Sequence, residues 1–347
     1  MNLSRRSRRD WRIVFWIVLT SVPISAYFGY AVAPAEALPL ESAGNGALTA
    51  LLIATPIALY ELKGGRIAFL RRLRRLPLYV YFTLRILFYF VVIIGGLLLM
   101  RVLIVYRVAP FTMDAVFRNS IIFSIAMAVF GNVLILMGTL LGFGTLKNLL
   151  TGRYVQPRRE QRAFLLIDMR DSTGLAERLG PIRFHELLNE FFRDISDAAL
   201  DCGAEIHKYM GDEAILTWPG GRALAEGDCL ACAFVARDFV AASAKRYRER
   251  YGGVPQFRAA LHYGEIVAGE IGDVRREIAY VGDTLNVTAR LLDAAKTLDR
   301  DVLVSADLLA RATLPSGIVA EPLPTLTVRG RAAPLAIAAL QRVGAGP

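Results

Sequence analysis

Cysteine and histidine are scarce in this sequence, with three of each in 347 residues. Three cysteines are too few for the disulfide framework of a small secreted protein. Cys229 and Cys232 form a C-x-x-C without a second pair, so we interpret them as packing residues on a helix. The histidines, His185, His207 and His262, lack the spacing of a zinc site. A Walker A loop and a catalytic serine–histidine–aspartate arrangement are also missing, which leaves a P-loop enzyme and a serine hydrolase without support.

Acidic residues are outnumbered, with 31 Asp and Glu against 41 Lys and Arg, and the formal net charge is +10. Many arginines fall in two clusters, each next to an apolar run: Arg5, Arg6, Arg8, Arg9 and Arg12, and then Arg66, Arg71, Arg72, Arg74 and Arg75. Clusters in that position are typical of cytoplasmic membrane loops. A basic arm for nucleic acid is the alternative, but no RNA- or DNA-binding motif accompanies the clusters. We therefore expect a lipid bilayer as a partner and no nucleic acid.

Apolar residues are abundant, at 54% of the chain, and they are concentrated before residue 146. Residues 1–145 are predicted to form a transmembrane helical domain of about four spans, at 11–32, 43–61, 78–105 and 120–146. Arg85 and Arg101 lie near the two ends of the third span, where long side chains can snorkel towards headgroups. An even number of spans with basic clusters on one side places both termini in the cytoplasm. The prediction is a multi-pass protein of the cell (inner) membrane with a cytoplasmic C-terminal half.

The C-terminal half shows strand and helix patterns in alternation. Residues 146–162 are polar and broken, and we expect a linker there that either transmits helix movement or is a passive tether. Residues 163–343 are predicted to be an α+β domain, a ferredoxin-like β-α-β-β-α-β sheet with helices on one face. A terminal hairpin, with strands at 326–328 and 335–340, closes this domain.

Two aspartates stand at predicted strand ends. An apolar strand from Phe164 ends in Asp168, and a hairpin from Ile206 to Pro219 carries Lys208 and, at its tip, Asp212. Two such aspartates on adjacent strands can share a divalent cation, and Mg²⁺ typically takes one or two carboxylates plus phosphate oxygens. A helix-capping role for Asp168 and a solvated tip for Asp212 are the alternatives.

A third stretch adds an amide and a guanidinium. Asn286 and Arg290 are four residues apart, on one face of a helix that begins near Thr284. These groups suit charge that develops on a ribose oxygen and a phosphate. Five backbone N–H groups at another predicted helix start are well placed for phosphate oxygens: those of Met169, Arg170, Asp171, Ser172 and Thr173.

In this order and combination, the three stretches resemble the catalytic domain of the class III nucleotidyl cyclases, over about half of the chain. The resemblance implies that Asp168 and Asp212 bind two Mg²⁺ (or Mn²⁺) ions per active site, between the carboxylates and the triphosphate of ATP. One ion lowers the pKa of the attacking ribose 3′-hydroxyl and the other neutralises the phosphates as pyrophosphate leaves.

The resemblance also assigns roles around the nucleotide. Lys208 matches the position that donates to N1 of adenine, and Asn286 and Arg290 match the residues that orient the ribose and stabilise the phosphate. Arg329 lies near the position of a triphosphate-binding lysine. The family builds each site from two chains, so the resemblance implies a homodimer with shared active sites.

One position departs from the family. Its second base-selecting residue, an Asp or Thr, is Ala279 here, and alanine cannot accept a hydrogen bond from the adenine amino group through its side chain. We predict a membrane-bound adenylate cyclase that makes 3′,5′-cyclic AMP in signal transduction. A guanylate cyclase is the first alternative, which Ala279 leaves open. A non-catalytic nucleotide-binding sensor is the second, and the presence of both aspartates, Asn286 and Arg290 argues against it.

Overall fold

The structure of the protein is a computed structural model that describes residues 5–33, 38–63, 76, 78–104, 115–274, 276–327 and 334–343. The chain divides into two compact units, residues 1–140 and 141–347. The first consists of helices, and the second is built around one mixed sheet.

Among its described residues, the N-terminal unit has four long helices: α1 (Arg5–Ala31), α2 (Pro39–Lys63), α3 (Leu78–Ile104) and α4 (Ala115–Leu141). Each contains a segment that is long and apolar enough to cross a membrane: Trp11–Ala31, Pro39–Glu61, Thr83–Leu103 and Ala115–Gly138. Helix α2 begins four residues before the predicted span, because proline fits the first position of a helix. Helix α4 ends before Gly142, whose φ of 85° is not helical.

Helices α1 and α2 touch through their backbones. A Cβ atom added to Gly29 would lie 2.3 Å from the Ser42 carbonyl oxygen, and one added to Gly46 would lie 2.2 Å from the Ser25 carbonyl oxygen. Only glycine leaves room for this approach. Small residues that admit such close contact are characteristic of helix pairs in membranes.

A polar cluster is buried between α2 and α3. Glu61 and Arg85 form an ion pair, and their side chains are only 4% and 5% exposed. The hydroxyl of Tyr89 donates to Glu61 Oε1 at 2.5 Å and accepts from Arg85 Nε at 3.0 Å. Arg85 therefore turns inward to a carboxylate rather than out towards headgroups as expected, because a partner lies within reach on the neighbouring helix.

The C-terminal unit contains the remaining elements. In chain order they are α5 (Phe143–Leu150), β1 (Arg158–Met169), α6 (Ser172–Leu179), α7 (Pro181–Asp201), β2 (Glu205–Met210), β3 (Glu213–Pro219), α8 (Arg222–Ala225), α9 (Asp228–Ala242), α10 (Ala244–Tyr251), β4 (Phe257–Ile271), β5 (Glu277–Val281), α11 (Asp283–Thr297), β6 (Val302–Ser305), α12 (Ala306–Leu309), β7 (Ile318–Leu326) and β8 (Leu335–Arg342). The strand order is β2-β3-β1-β4-β6-β8-β7, and β5 pairs with the far end of β4. The predicted β-α-β-β-α-β core is confirmed in β1, α7, β2, β3, α9 and β4.

Helices cover both faces of this sheet. Alternate residues of β1 face opposite sides, so Leu165 packs in one core with α7 and α9, while Phe164 and Leu166 pack in another with α11. The prediction of helices on one face is therefore wrong for α11. A helix sequence shows which side is apolar but not which face of the sheet it covers. The three cysteines, Cys202, Cys229 and Cys232, are free thiols buried in the first core.

Two boundaries differ from the sequence analysis. Strand β1 begins at Arg158, five residues before the predicted domain start, because its polar first half pairs with β4 in a regular antiparallel ladder. Strand β7 spans Ile318–Leu326, so it begins eight residues before the predicted strand at 326–328, and it includes Pro322 and Pro324. Proline is tolerated there because β7 is an edge strand with one side unpaired. Residue 328 lies outside the described residues.

Candidate active site

Three carboxylates converge where β1 ends. In the antiparallel register of β1 and β3, Asp168 lies opposite Glu213. Asp212 precedes Glu213 in the two-residue turn after β2, which Gly211 opens with a φ of +60°. The structure thus brings the two predicted metal ligands, Asp168 and Asp212, to the same end of the β1–β3 pair.

One lysine balances part of this charge. Lys296, near the end of α11, places its Nζ 2.7 Å from Asp168 Oδ2. Burial raises the pKa of Asp168, the hydrogen bond from Lys296 opposes that effect, and Asp212 adds to it. Burial, followed by repulsion from Asp168, raises the pKa of Glu213 to about 7. The cluster therefore carries more carboxylate than its one ammonium neutralises.

Such an excess fits a divalent cation. Half-buried carboxylates that repel one another gain most from a cation between them, and oxygen is the ligand that Mg²⁺ and Mn²⁺ prefer. Within the described residues, no three His, Cys, Asp or Glu side chains have a geometry that could hold a metal ion. Asp168 and Asp212 therefore fit a site that is completed by oxygens from outside the chain, such as those of a phosphate.

The loop after β1 leads into α6 through a left-handed residue. Asp171 has a φ of 52° and precedes the first helical residue, Ser172. Its carboxylate accepts a hydrogen bond from Arg178 at 3.0 Å and would lie 2.4 Å from a Cβ atom added to Gly174, so a larger residue there would displace this carboxylate. The first-turn N–H groups of α6, including those of Ser172 and Thr173, have no acceptor within the helix.

Arg170 differs from the expectation for this loop. Its backbone N–H already donates to the Gln256 carbonyl oxygen at 2.8 Å. Its side chain forms an ion pair with Asp301, whose other oxygen is 2.9 Å from Arg237. Arg170 thus holds the loop in place, and its backbone N–H is not available to a phosphate.

Asn286 and Arg290 share an exposed side of α11. Within the part of the chain that the structure describes, neither side chain has a hydrogen bond or an ion pair. Asn286 precedes Lys296, the residue on Asp168, by ten positions, which is about 15 Å along a helix. One chain therefore places this amide apart from its own carboxylates, and Arg290, six positions before Lys296, lies on the same exposed side of α11 as Asn286.

A β-bulge sets the direction of Lys208. The pairing of β2 with β3 shifts between Ile206 and Lys208, so two successive side chains, His207 and Lys208, can face the same side. The ring of His207 packs on Tyr280 of β5 with centroids 4.5 Å apart. The Nζ of Lys208 lies 3.9 Å from Glu277 Oε1 at the start of the same strand.

A buried arginine fixes this corner of the sheet. Arg162 is 2% exposed and donates to Glu205 at 2.8 Å and to the Tyr280 hydroxyl at 2.6 Å. Glu160 also accepts from Arg162, at 3.3 Å, and from Tyr154, at 3.0 Å. A buried charge is stable only when it is paired and hydrogen-bonded in this way. The network joins β1, β2 and β5 next to Lys208 and Ala279.

Arg329 lies outside the described residues. Two residues of the cluster were not among the predicted site residues. Lys296 forms a salt bridge with Asp168, and Glu213 lies opposite Asp168 in the β1–β3 ladder. The position of Glu213 directly after Asp212 was a usable indication, because the first residue of β3 lies beside the turn that precedes it. Nothing local identifies Lys296, because its contact with Asp168 depends on how α11 crosses the sheet.

Comparison with known proteins identifies relatives of both units. Residues 155–335 match the family described as "Adenylate and Guanylate cyclase catalytic domain". Adenylate cyclase 2 of Rhizobium meliloti (strain 1021) is 40% identical over 305 residues, which cover 85% of this chain and 82% of that protein. Since only 193 residues follow residue 154, about 100 of the matched residues lie before it.

More distant relatives match a smaller share of the chain. Adenylate cyclase 1 of the same strain is 28% identical over 185 residues, 52% of this chain and 27% of that protein. The structure of a bacterial light-regulated adenylyl cyclase matches with a TM-score of 0.52 at 15% identity, over 66% of each chain. At that identity the likeness shows the fold alone.

Proposed function

Because this chain belongs to the adenylate and guanylate cyclase family, we propose that it is a membrane-bound adenylate cyclase, a phosphorus–oxygen lyase that converts ATP to 3′,5′-cyclic AMP and pyrophosphate. The observation that carries the proposal is that Asp168 and Asp212 lie together at the end of β1, just before α6 begins. The 40% identity to an adenylate cyclase over most of the chain supports ATP as the substrate.

The first half of the chemistry belongs to the carboxylate cluster. Two Mg²⁺ or Mn²⁺ ions held by Asp168 and Asp212 would supply a lowered pKa at the ribose 3′-hydroxyl and neutralise charge on the phosphates. The N–H groups of Ser172 and Thr173 at the start of α6 bind phosphate oxygens. Arg170 keeps the loop rigid through its bonds to Gln256 and Asp301, so these donors are in place before the nucleotide binds.

The groups that orient the ribose and stabilise the attacked phosphate come from the partner chain. Asn286 and Arg290 are exposed and unpaired within the described residues of one chain. In a two-fold homodimer each chain offers its carboxylates to one site and its amide and guanidinium to the other. Asn286 then orients the ribose, and Arg290 stabilises charge on the phosphate that is attacked.

The N-terminal helices anchor the enzyme. Four helices are long and apolar enough to span a bilayer, and the similarity to the Rhizobium meliloti enzyme extends into this half. We place both termini in the cytoplasm because arginine clusters next to apolar spans are typical of cytoplasmic loops. The catalytic unit there has access to cytosolic ATP, and GTP is a second candidate substrate only because Ala279 offers no acceptor.

Turnover by the full-length protein in membrane vesicles tests the proposal. With Mg²⁺ or Mn²⁺, we expect cyclic AMP from ATP in preference to cyclic GMP from GTP. Lys208→Glu should lower ATP turnover sharply, because an acceptor replaces the donor to adenine N1. Lys245→Glu, at another exposed lysine that pairs with a glutamate, is the matched control. Absence of both cyclic nucleotides, or a preference for GTP, would overturn the proposal.

A further inference from the structure

We propose that Glu277 is the residue that recognises the amino group of adenine, in place of the side chain that position 279 lacks. This inference rests on the proposed function and adds a specificity-determining residue to it. The observation behind it is that Glu277 Oε1 lies 3.9 Å from the Nζ of Lys208. That lysine is the residue assigned to adenine N1.

Strand β5 presents Glu277 and Ala279 on the same side. Ile278 and Tyr280, the residues between and after them, pack into the core that α11 covers. Side chains alternate along a strand, so 277 and 279 both point away from that core. Their partners on β4 are Ile271 and Gly269. Glu277 is thus two residues from Ala279 on the same side of β5. Its side chain is long enough to extend back towards the place that a side chain at position 279 would fill.

The two charged groups match the edge of adenine. N1 of adenine accepts a hydrogen bond, and the adjacent amino group on C6 donates one. A lysine ammonium can only donate and a carboxylate can only accept, so Lys208 and Glu277 provide the complementary pair at a spacing that fits adjacent atoms. Guanine reverses the order, with a donor at N1 and an acceptor on C6. With Lys208 facing N1, the pair therefore selects adenine.

The surroundings favour a binding role over a purely structural one. The side chains of Lys208 and Glu277 are 50% and 47% exposed, so a base can reach both. Exposed ion pairs contribute little to folding stability. The backbone beside them is nonetheless fixed, because His207 packs on Tyr280 and Tyr280 is bonded to buried Arg162. Two accessible side chains of opposite charge thus project from a backbone that these contacts hold in place.

A substrate analogue isolates the contact. Kinetics of the full-length enzyme are measured with ATP and with the purine ribonucleoside triphosphate that lacks the 6-amino group. We expect the parent to prefer ATP by roughly ten- to hundred-fold in kcat/KM, the discrimination that one well-placed polar contact gives. Glu277→Ala should remove most of that preference by slowing ATP alone. A merely structural role would slow both substrates equally.

Two further variants complete the test. Adding Ala279→Asp to Glu277→Ala should restore the preference for ATP, because it returns an acceptor to the neighbouring position on the same side of β5. Glu249→Ala, which breaks the comparably exposed pair with Lys245 at 3.8 Å, should leave the preference unchanged.

The outcomes separate the two proposals. A parent enzyme that makes no cyclic AMP overturns the proposed function itself. If the parent makes cyclic AMP but Glu277→Ala keeps the preference over the analogue, only the role of Glu277 is wrong. If Glu277→Ala loses GTP turnover instead of ATP turnover, the role of Glu277 is also wrong. The same conclusion follows if Glu277→Ala is inactive with both substrates and the added Ala279→Asp does not restore activity.

Discussion

The two units of the chain distribute apolar and charged side chains in opposite ways. In the N-terminal helices Phe15, Trp16 and Tyr27 are 59%, 60% and 73% exposed, while the ion pair of Glu61 and Arg85 is buried. In the catalytic unit, large apolar side chains fill both sides of the sheet and most charged pairs are on the surface. The proposed bilayer accounts for the first pattern, because hydrocarbon accepts apolar surface and requires charges to pair.

The contrast also identifies a candidate functional site at which partly buried charges are not fully paired. Asp168 and Glu213 are half-buried beside Asp212 without enough positive charge to balance them. In the helical unit Glu61 has a full complement of partners. A balanced buried cluster joins helices, whereas an unbalanced one is suited to bind a cation.

The largest expected effect is at the unbalanced cluster. Asp168→Ala or Asp212→Ala should lower cyclic AMP formation by about a thousand-fold or more, since a lost metal ligand removes several kcal/mol of transition-state stabilisation. The catalytic unit should remain folded, because neither side chain belongs to the apolar cores. Turnover in vesicles with normalised protein amount measures the loss, and Asp238→Ala, at a surface ion pair, is the control. Activity above a few per cent in the Asp212 variant would contradict the assignment.

Mixing two inactive variants tests the shared site. Asp212→Ala and Arg290→Ala chains should each be inactive alone. Co-expressed in equal amounts, they should recover about one quarter of the parental activity, because half of the dimers are mixed and each mixed dimer keeps one of two sites. Co-purification of differently tagged chains shows that they associate. No recovery from associated, folded chains would mean that each site lies within one chain.

The buried cluster of Glu61, Arg85 and Tyr89, whose charges are balanced, predicts a different outcome on mutation. Glu61→Leu alone leaves Arg85 unpaired between α2 and α3 and should destabilise the full-length protein by about 3 kcal/mol. The double variant Glu61→Leu/Arg85→Leu should recover most of the loss, since it removes both charges. Thermal aggregation in detergent measures both. In the catalytic unit, the equivalent single change at the exposed pair, Glu249→Leu, should have almost no effect. A double variant less stable than the single one would contradict this interpretation.

The smallest effect concerns pH. Burial, then Lys208 and more weakly Arg162, lower the pKa of His207, while Glu277 opposes them. The folded protein therefore resists protonation, and below about pH 6.5 the unfolded chain takes up the proton first, so stability falls as pH decreases. His207→Phe, which can keep the packing on Tyr280, should reduce that dependence between pH 7 and 5. An unchanged dependence would exclude His207 as its source.

The sequence predicted the parts of the site that are local. Strand-end Asp168, the hairpin with Lys208 and Asp212, and the pair Asn286 and Arg290 each depend on spacing within a few residues, which a strand or a helix converts directly into a common face. The family and the fold are confirmed. The roles of these residues, the metal ions and the homodimer remain predictions.

Long-range features were not accessible in the same way. The salt bridge of Lys296 with Asp168 joins residues 128 positions apart, and the second face of the sheet is covered by α11 for reasons of topology. Strand β7 was missed because its prolines argue against a strand unless the chain lies at an edge. The proximity of Glu277 to Lys208 depends on both a bulge in β2 and the path of β5.

The buried cysteines give the catalytic unit an internal reporter. Burial raises the pKa of Cys229 to about 12, and a hydrogen bond with Cys202 together with burial raises the pKa of Cys232. Only a thiolate reacts readily with an electrophile, and all three cysteines of the chain lie in this unit. A thiol-reactive dye added to intact vesicles should therefore label the protein only as its catalytic unit opens. The rate of labelling measures how often that opening occurs, without any engineered probe and without signal from the N-terminal helices.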